Sequence, residues 1–171
     1  MVSFQKKVAS VAASGVLAAC LVAVTASSAA AGTVTKSYVC GTFGPQFPTV
    51  FTTTVTAPAT AKRGTTISVT VAFDTDLISY SGKDAGEQVG NMTILLGGAA
   101  SGSVVANGLT TPAIPPGDTW KMSGGTAQVT VPNVGDVTFT PDRYREPYPT
   151  ITIVCVPQGP VGVAATTHVV P

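Results

Sequence analysis

The sequence predicts an all-β fold: a single immunoglobulin-like β-sandwich of about seven to nine strands with one disulfide. Three observations predict it: period-two alternation of apolar and polar residues, Gly- and Pro-rich turns between these runs, and an even pair of cysteines after an export signal. Charged residues make up only 10% of the 171 residues, and the net charge is +1. This balance excludes a basic nucleic-acid-binding surface and an acidic disordered tail.

The N-terminal segment has the three parts of a secretory signal peptide. Two lysines end a short basic head, an uncharged apolar run follows over 8–24, and Ala29 and Ala31 supply the small residues of a cleavage site. We therefore expect residues 1–31 to be removed. Residues 32–171 then form one secreted domain, because no linker or repeat divides them.

A second interpretation of this segment concerns Cys20. The residues Leu-Ala-Ala before Cys20 resemble the bacterial lipobox, in which the cysteine is lipidated. The apolar run continues beyond Cys20, where lipoproteins usually become polar, so removal with the signal peptide is favoured. A lipid on Cys20 would make the chain a lipid-anchored envelope protein, and we expect membrane contact only in that case.

Cys40 and Cys155 are the cysteines that remain after cleavage. Export together with an even count predicts a disulfide between them. Each lies in a segment with the pattern of a strand, so the bond would join a first strand to a late one. A redox or metal pair is disfavoured, because neither a CxxC spacing nor a third ligand accompanies them.

The individual strands follow from the alternation. In the clearest case, over 66–73, Ile67, Val69, Val71 and Phe73 fall on one face and polar or small residues on the other. In chain order, the same reasoning predicts strands near 34–40, 51–56, 66–73, 128–131, 137–140, 151–155 and 161–169. Turns are predicted at 58–64, 97–98, 112–117, 124–125, 132–135 and 157–162. Residues 83–88 could form a single helical turn.

Four short motifs carry a resemblance to a known family. They are Tyr38-x-Cys40, TAPATAKRG at Thr56–Gly64, IPPG at Ile114–Gly117 and Val-Cys-Val-Pro at 154–157. With these motifs the chain resembles a family of small secreted actinobacterial β-sandwich domains of unknown function. The resemblance implies a β-sandwich and an extracellular or envelope location, and it brings no catalytic residues. The stretch Ser79–Gly108 departs from the pattern, which leaves the middle topology open.

Catalytic and metal-binding constellations are sparse. His168 is the one histidine, and no G-x-S-x-G motif accompanies it. Asp74, Asp76, Asp84 and Glu87 could supply oxygen ligands to Ca²⁺, but their spacing matches no EF-hand loop. We therefore expect a protein that is not an enzyme and that has no cofactor and no metal site.

The most unusual segment is Asp142–Pro149, which concentrates arginine, tyrosine and proline in a chain poor in charge. Arginine and tyrosine are frequent hot-spot residues of interfaces. The alternative is a long hairpin loop with a local Arg–Glu pair and tyrosine rings covering a sandwich edge. Trp120 is either a platform for a sugar or a core or edge residue. The candidate binding residues are Arg143, Tyr144, Arg145, Tyr148 and Trp120.

These features predict a non-catalytic interaction or structural module that is secreted or associated with the cell envelope. Its partner would be a protein or a cell-wall glycan, and not a nucleic acid. An alternative from another class is an inhibitor of a secreted hydrolase, which presents a rigid exposed loop to a cleft. The Pro-rich loop Thr111–Gly117 would serve that role.

Overall fold

The computed structural model describes residues 28–42 and 46–171. All regular structure in these residues is β, as predicted. None of the described residues forms a helix of the length and apolarity needed to cross a membrane. The strands are β1 (Ala29–Gly41), β2 (Phe47–Pro58), β3 (Thr60–Lys62), β4 (Thr66–Ile78), β5 (Val89–Gly98), β6 (Gly102–Thr110), β7 (Thr119–Thr130), β8 (Gly135–Pro147), β9 (Thr152–Pro157) and β10 (Ala165–Val170).

Eight of the strands form one closed ring of antiparallel pairings. The order is β8-β5-β6-β7-β4-β2-β1-β9, and β9 pairs back to β8. The sheet is therefore an eight-stranded barrel, whereas the predicted immunoglobulin-like sandwich consists of two separate sheets. Closure occurs because β9 pairs with strands on both of its edges, which leaves no free edge within the ring.

The long strand β8 serves two different neighbours along one edge. Its first half pairs with β10, with Ala165 opposite Phe139. Its last residues pair with β9, with Tyr144 opposite Cys155. The short strand β3 adds to β10 in parallel. The same edge of β8 is thus shared by β10 at one end and by β9, which closes the ring, at the other.

The core fills the inside of the ring, on the faces that the alternation predicts. Ile67, Val69, Val71 and Phe73 on β4 are each at most 7% exposed. Removing each such side chain from water contributes roughly 1.5–3 kcal/mol to folding. Threonines cover the outside, and they form cross-strand hydroxyl pairs such as Thr33 with Thr54. Other core side chains are Phe51, Val55, Met92, Ile94, Leu109, Met122, Val129, Val137 and Phe139.

The predicted Cys40–Cys155 disulfide is confirmed. The two residues lie directly opposite each other in the β1–β9 pairing, and each is 1% exposed. The bond therefore ties the first strand of the ring to the strand that completes it. A sequence separation of 115 residues makes this a long covalent loop.

The segment between β4 and β5 forms turns rather than the helical turn predicted over 83–88. Lys83 pairs with Ile114 through backbone hydrogen bonds in both directions, and this fixes the segment against the loop before β7. Gly86 follows with a φ of 76°, a left-handed conformation that breaks any helix and suits glycine.

Candidate functional site

The unusual segment predicted around 142–149 lies mostly in β8, and not in a free loop. Tyr144 is fully buried, whereas Arg143 and Arg145 on either side of it are exposed. Tyr148 follows the strand and is 39% exposed. The binding residues predicted in this segment are therefore divided between the inside and the outside of the barrel.

A β-bulge in β8 decides which of these side chains faces inward. Met92 on β5 pairs with Tyr144, and Ile94 pairs with Pro141, so three residues of β8 span two residues of β5. The extra residue reverses the alternation of faces along the rest of the strand. Without the extra residue, Arg143 would face inward, as Pro141 does. With the extra residue, Glu146 faces inward and is only 3% exposed.

Glu146 is the end of a directional chain of hydrogen bonds. Trp120 donates its Nε1–H to Gln88 Oε1 at 2.7 Å, and Gln88 Nε2 donates to the Tyr148 hydroxyl at 3.1 Å. Tyr148 then donates to Glu146 Oε1 at 2.6 Å. Tyr144 donates to the second oxygen, Oε2, at 3.4 Å. Both tyrosine hydroxyls thus donate a hydrogen bond to the carboxyl group.

Burial raises the pKa of Glu146, because removal from water disfavours the carboxylate. The hydrogen bonds from Tyr148 and Tyr144 and the charge of Lys83 oppose that effect without cancelling it. Burial also raises the pKa of Tyr148, and its hydrogen bond to Glu146 acts in the same direction. Lys83 itself lies 2.6 Å from Glu87, and this ion pair lowers the pKa of Glu87.

A pocket of about 220 Å³ opens beside this network. Its apolar wall is built from the disulfide and several aliphatic and aromatic side chains, and its polar wall includes Glu146, Gln88 and Trp120. Ser79 also lines it; this residue is 8% exposed, and its hydroxyl has no hydrogen-bond partner among the described residues. Such an unpaired buried hydroxyl is uncommon in native proteins. The apolar wall consists of Cys40, Phe47, Leu77, Ile78, Ile153 and Cys155.

Aromatic rings in the core hold the pocket wall in place. Trp120 meets Phe73 edge-on, with centroids 5.4 Å apart, and meets Tyr144 at 5.8 Å. Phe73 stacks on Phe51 at 4.5 Å, and Phe51 stacks on Tyr38 at 4.4 Å. Packing of this kind leaves Trp120 and Tyr144 little freedom to reorient. Trp120 is therefore both part of the core packing and a wall of the pocket.

The structure brings together three of the predicted binding residues, Trp120, Tyr144 and Tyr148, and leaves Arg143 and Arg145 outside. Sequence reasoning missed Glu146 and Gln88. The spacing Tyr144-x-Glu146-x-Tyr148 is a signal for Glu146, because residues two apart in a strand share a face. Gln88 gives no comparable local signal, since its partners come from distant strands.

The other candidate groups lie elsewhere. His168 has a carboxylate partner: its Nδ1 is 2.7 Å from Asp136 Oδ1, across the β10–β8 pairing. Both side chains are more than half exposed, and neither lines the pocket beside Glu146.

The four carboxylates considered for Ca²⁺ are not gathered into one site. Asp76 accepts hydrogen bonds from the Thr49 hydroxyl and the Val50 amide, which lower its pKa. Glu87 is occupied by Lys83. Within residues 28–42 and 46–171, no three His, Cys, Asp or Glu side chains are grouped so that they could hold a metal ion.

No family model, curated protein or solved structure matches the chain. The resemblance to small secreted actinobacterial domains stays a prediction that its four motifs carry. The predicted signal peptide and Cys20 lie outside the described residues, apart from Ser28 and Ala29 to Ala31. These three alanines belong to β1, where they pair with residues Thr56 to Pro58 of β2.

Proposed function

We propose that the chain is a secreted or envelope-associated, non-catalytic interaction module that binds its partner at the pocket beside Glu146. The observation that carries this proposal is a buried carboxyl group, aligned by a chain of donors, at the wall of an apolar pocket. An apolar cavity with a few convergent polar groups is the usual form of a ligand site.

A binding role rather than catalysis is supported by how the reactive groups are placed. Ser79 and Glu146 line the pocket. Histidine is the general base that most often activates a serine, and His168 lies outside the pocket. Lys83 reaches the pocket but is held by Glu87. The assembly is suited to recognising a group, and no nucleophile–base pair is formed from these residues.

Export is supported by the disulfide, since such bonds persist outside the reducing cytosol. The signal-peptide pattern of residues 1–31 and the family resemblance point the same way. The partner would then be a protein or a cell-wall glycan at the cell envelope or in the medium.

The pocket is favoured over the Pro-rich loop 111–117 that a hydrolase inhibitor would use. Ile114, near the centre of this loop, is 3% exposed and bonded to Lys83 through the backbone. The loop is therefore fastened to the 79–88 segment instead of projecting as a free ridge. An inhibitor must present such a ridge to enter a cleft.

The test is binding of the exported protein to envelope fractions and culture proteins of the source organism. Ile78, at 42% exposure, lines the pocket, and Val105, at 45% exposure, lies on β6 away from it. We expect Ile78→Asn to weaken capture about fivefold or more, equivalent to about 1 kcal/mol. Val105→Asn, the matched control, leaves capture unchanged.

The outer face of β8 provides the competing outcome. The double substitution Arg143→Ala with Arg145→Ala removes two exposed charges and spares the inward residues. Capture that is lost in this variant and retained in Ile78→Asn would overturn the pocket assignment. The interaction surface would then be the outer face predicted from charge.

A further inference from the structure

Glu146 has acceptor capacity that the protein does not use. An ionised carboxylate accepts about four hydrogen bonds. Among the described residues its direct donors are neutral groups, Tyr148 and Tyr144 at 2.6 and 3.4 Å, with the Gln88 amide alongside. No cationic side chain within residues 28–42 and 46–171 forms an ion pair with it. A carboxylate at 3% exposure without a cation is a costly arrangement, since buried charges are normally paired.

The nearest cation does not fill that role. Lys83 lines the same pocket, but its Nζ is 2.6 Å from Glu87 Oε1, and the backbone amide of Asp84 holds the other Glu87 oxygen. The Lys83–Glu87 pair is neutral as a unit. With Glu146 ionised, the three side chains Lys83, Glu87 and Glu146 together therefore have one more negative than positive charge.

The remaining walls fit an alkyl chain that ends in a positive charge. Trp120 offers an indole ring, the aromatic group that attracts cations best. The Ser79 hydroxyl, which has no hydrogen-bond partner in the part of the chain that the structure describes, is a second acceptor. Phe47, Leu77 and Ile153 provide apolar contact. At about 220 Å³ the pocket is smaller than the 300–1,000 Å³ common for drug-sized ligands, which suits a single side-chain-sized group.

We propose that this pocket binds a primary alkylammonium group, with Glu146 as its anionic partner and Ser79 as a further acceptor. The ammonium supplies three N–H donors and the missing positive charge. Its source is either a free amine or a lysine-type side chain of the partner. The inference rests on the proposed function, because it names the chemistry that the pocket recognises.

The experiment titrates the full exported protein at pH 8 with n-hexylamine, 1-hexanol and hexanoate, which share a chain length and differ in charge. Trp120 is the single tryptophan, so its fluorescence reports the pocket directly. We expect the amine to bind about 10- to 100-fold more tightly than the alcohol, and hexanoate more weakly than both. Nα-acetyl-lysine methylamide distinguishes a side-chain source from a free amine.

Two variants test the electrostatic reasoning in opposite directions. Glu146→Gln keeps the shape and removes the charge, so the preference for the amine over the alcohol is lost. Lys83→Met leaves Glu146 intact and removes a positive charge from the pocket wall, so amine binding tightens. Lys83 is partly exposed, and its backbone pairing with Ile114 does not need the side chain. We therefore expect this variant to fold, so it tests the proposal even if Glu146→Gln does not fold. Arg145→Ala, on the outer face, leaves binding unchanged.

The outcomes separate this inference from the proposed function. Equal binding of amine and alcohol overturns the ammonium assignment and leaves the pocket as the binding site. An amine preference that survives Glu146→Gln also overturns it. Binding of none of the probes overturns it as well, and the envelope-capture experiment with Ile78→Asn then judges the proposed function independently.

Discussion

Reduction of the Cys40–Cys155 bond is expected to lower the free energy of unfolding by up to about 5 kcal/mol. The bond closes a loop with a separation of 115 residues. The chain-entropy relation gives about 16 cal/mol/K for such a loop, or about 4.8 kcal/mol at 25 °C. For a folded unit of about 140 residues, the unfolding entropy is roughly 0.3 kcal/mol/K, so Tm falls by about 16 °C.

Urea unfolding followed by Trp120 fluorescence measures this effect. The oxidised protein is compared with the same protein kept reduced by a phosphine, which changes no other atom. The double variant Cys40→Ala with Cys155→Ala is expected to lose more of the free energy of unfolding than the reduced protein does. Both residues are 1% exposed, so truncating their side chains leaves a cavity. The calculated value is an upper figure, since compact denatured chains are already constrained.

A reduced protein that loses less than about 1 kcal/mol would refute this reasoning. The pairings of β9 with β1 and β8 would then hold the ring closed without help from the covalent link. Hydrogen exchange locates the effect: the amides of β9 should lose protection first on reduction, and those of the β4–β7 pairing last.

Three further predictions concern single side chains. Burial raises the pKa of Glu146 and so favours its protonated form in the folded state. The free energy of unfolding should therefore decrease as pH rises from the ordinary carboxyl pKa through the raised pKa of the folded protein. Glu146→Gln should remove this pH dependence, as measured by urea titrations at several pH values. Asp76 has a lowered pKa, so its contribution is present at neutral pH and lost as pH falls through that pKa; Asp76→Asn should match the wild type in acid and be less stable at pH 7. Gly90→Ala should lower the free energy of unfolding by about 1–3 kcal/mol, because the added Cβ would lie 2.5 Å from the Tyr144 ring. Gly162→Ala is the control: its added Cβ would have its nearest contact at 3.7 Å, so this variant should unfold near the wild-type urea midpoint.

Strand faces were predictable because they depend on neighbours in sequence. The inward set from Ile67 to Phe73 follows from period two alone, and burial confirms it. Ring closure depends on Cys155 of β9, which pairs with Tyr144 of β8 on one edge of the strand and with Cys40 of β1 on the other edge. The disulfide could be predicted from the cysteine count and the signal-peptide pattern, but local alternation contains no information about which strands complete a ring.

The same difference between local sequence information and long-range pairing applies to the candidate site. Trp120, Tyr144 and Tyr148 stand out by composition, and the structure gathers them. Arg143 stands out equally, yet the bulge in β8 turns it outward, and a one-residue insertion of this kind leaves no mark in the apolar pattern. Gln88 joins the site only through contacts across the barrel.

The order of strands in the ring has a consequence for biogenesis. The strand that completes the barrel, β9, lies near the end of the chain and must pair with β1, near its beginning. A chain that emerges from its N-terminus therefore cannot complete its fold until nearly all of it has been delivered. Contacts so distant in sequence form slowly, so the ring stays open until its last strand is available. The Cys40–Cys155 bond can likewise form only after Cys155 arrives, and it then locks the closed ring covalently.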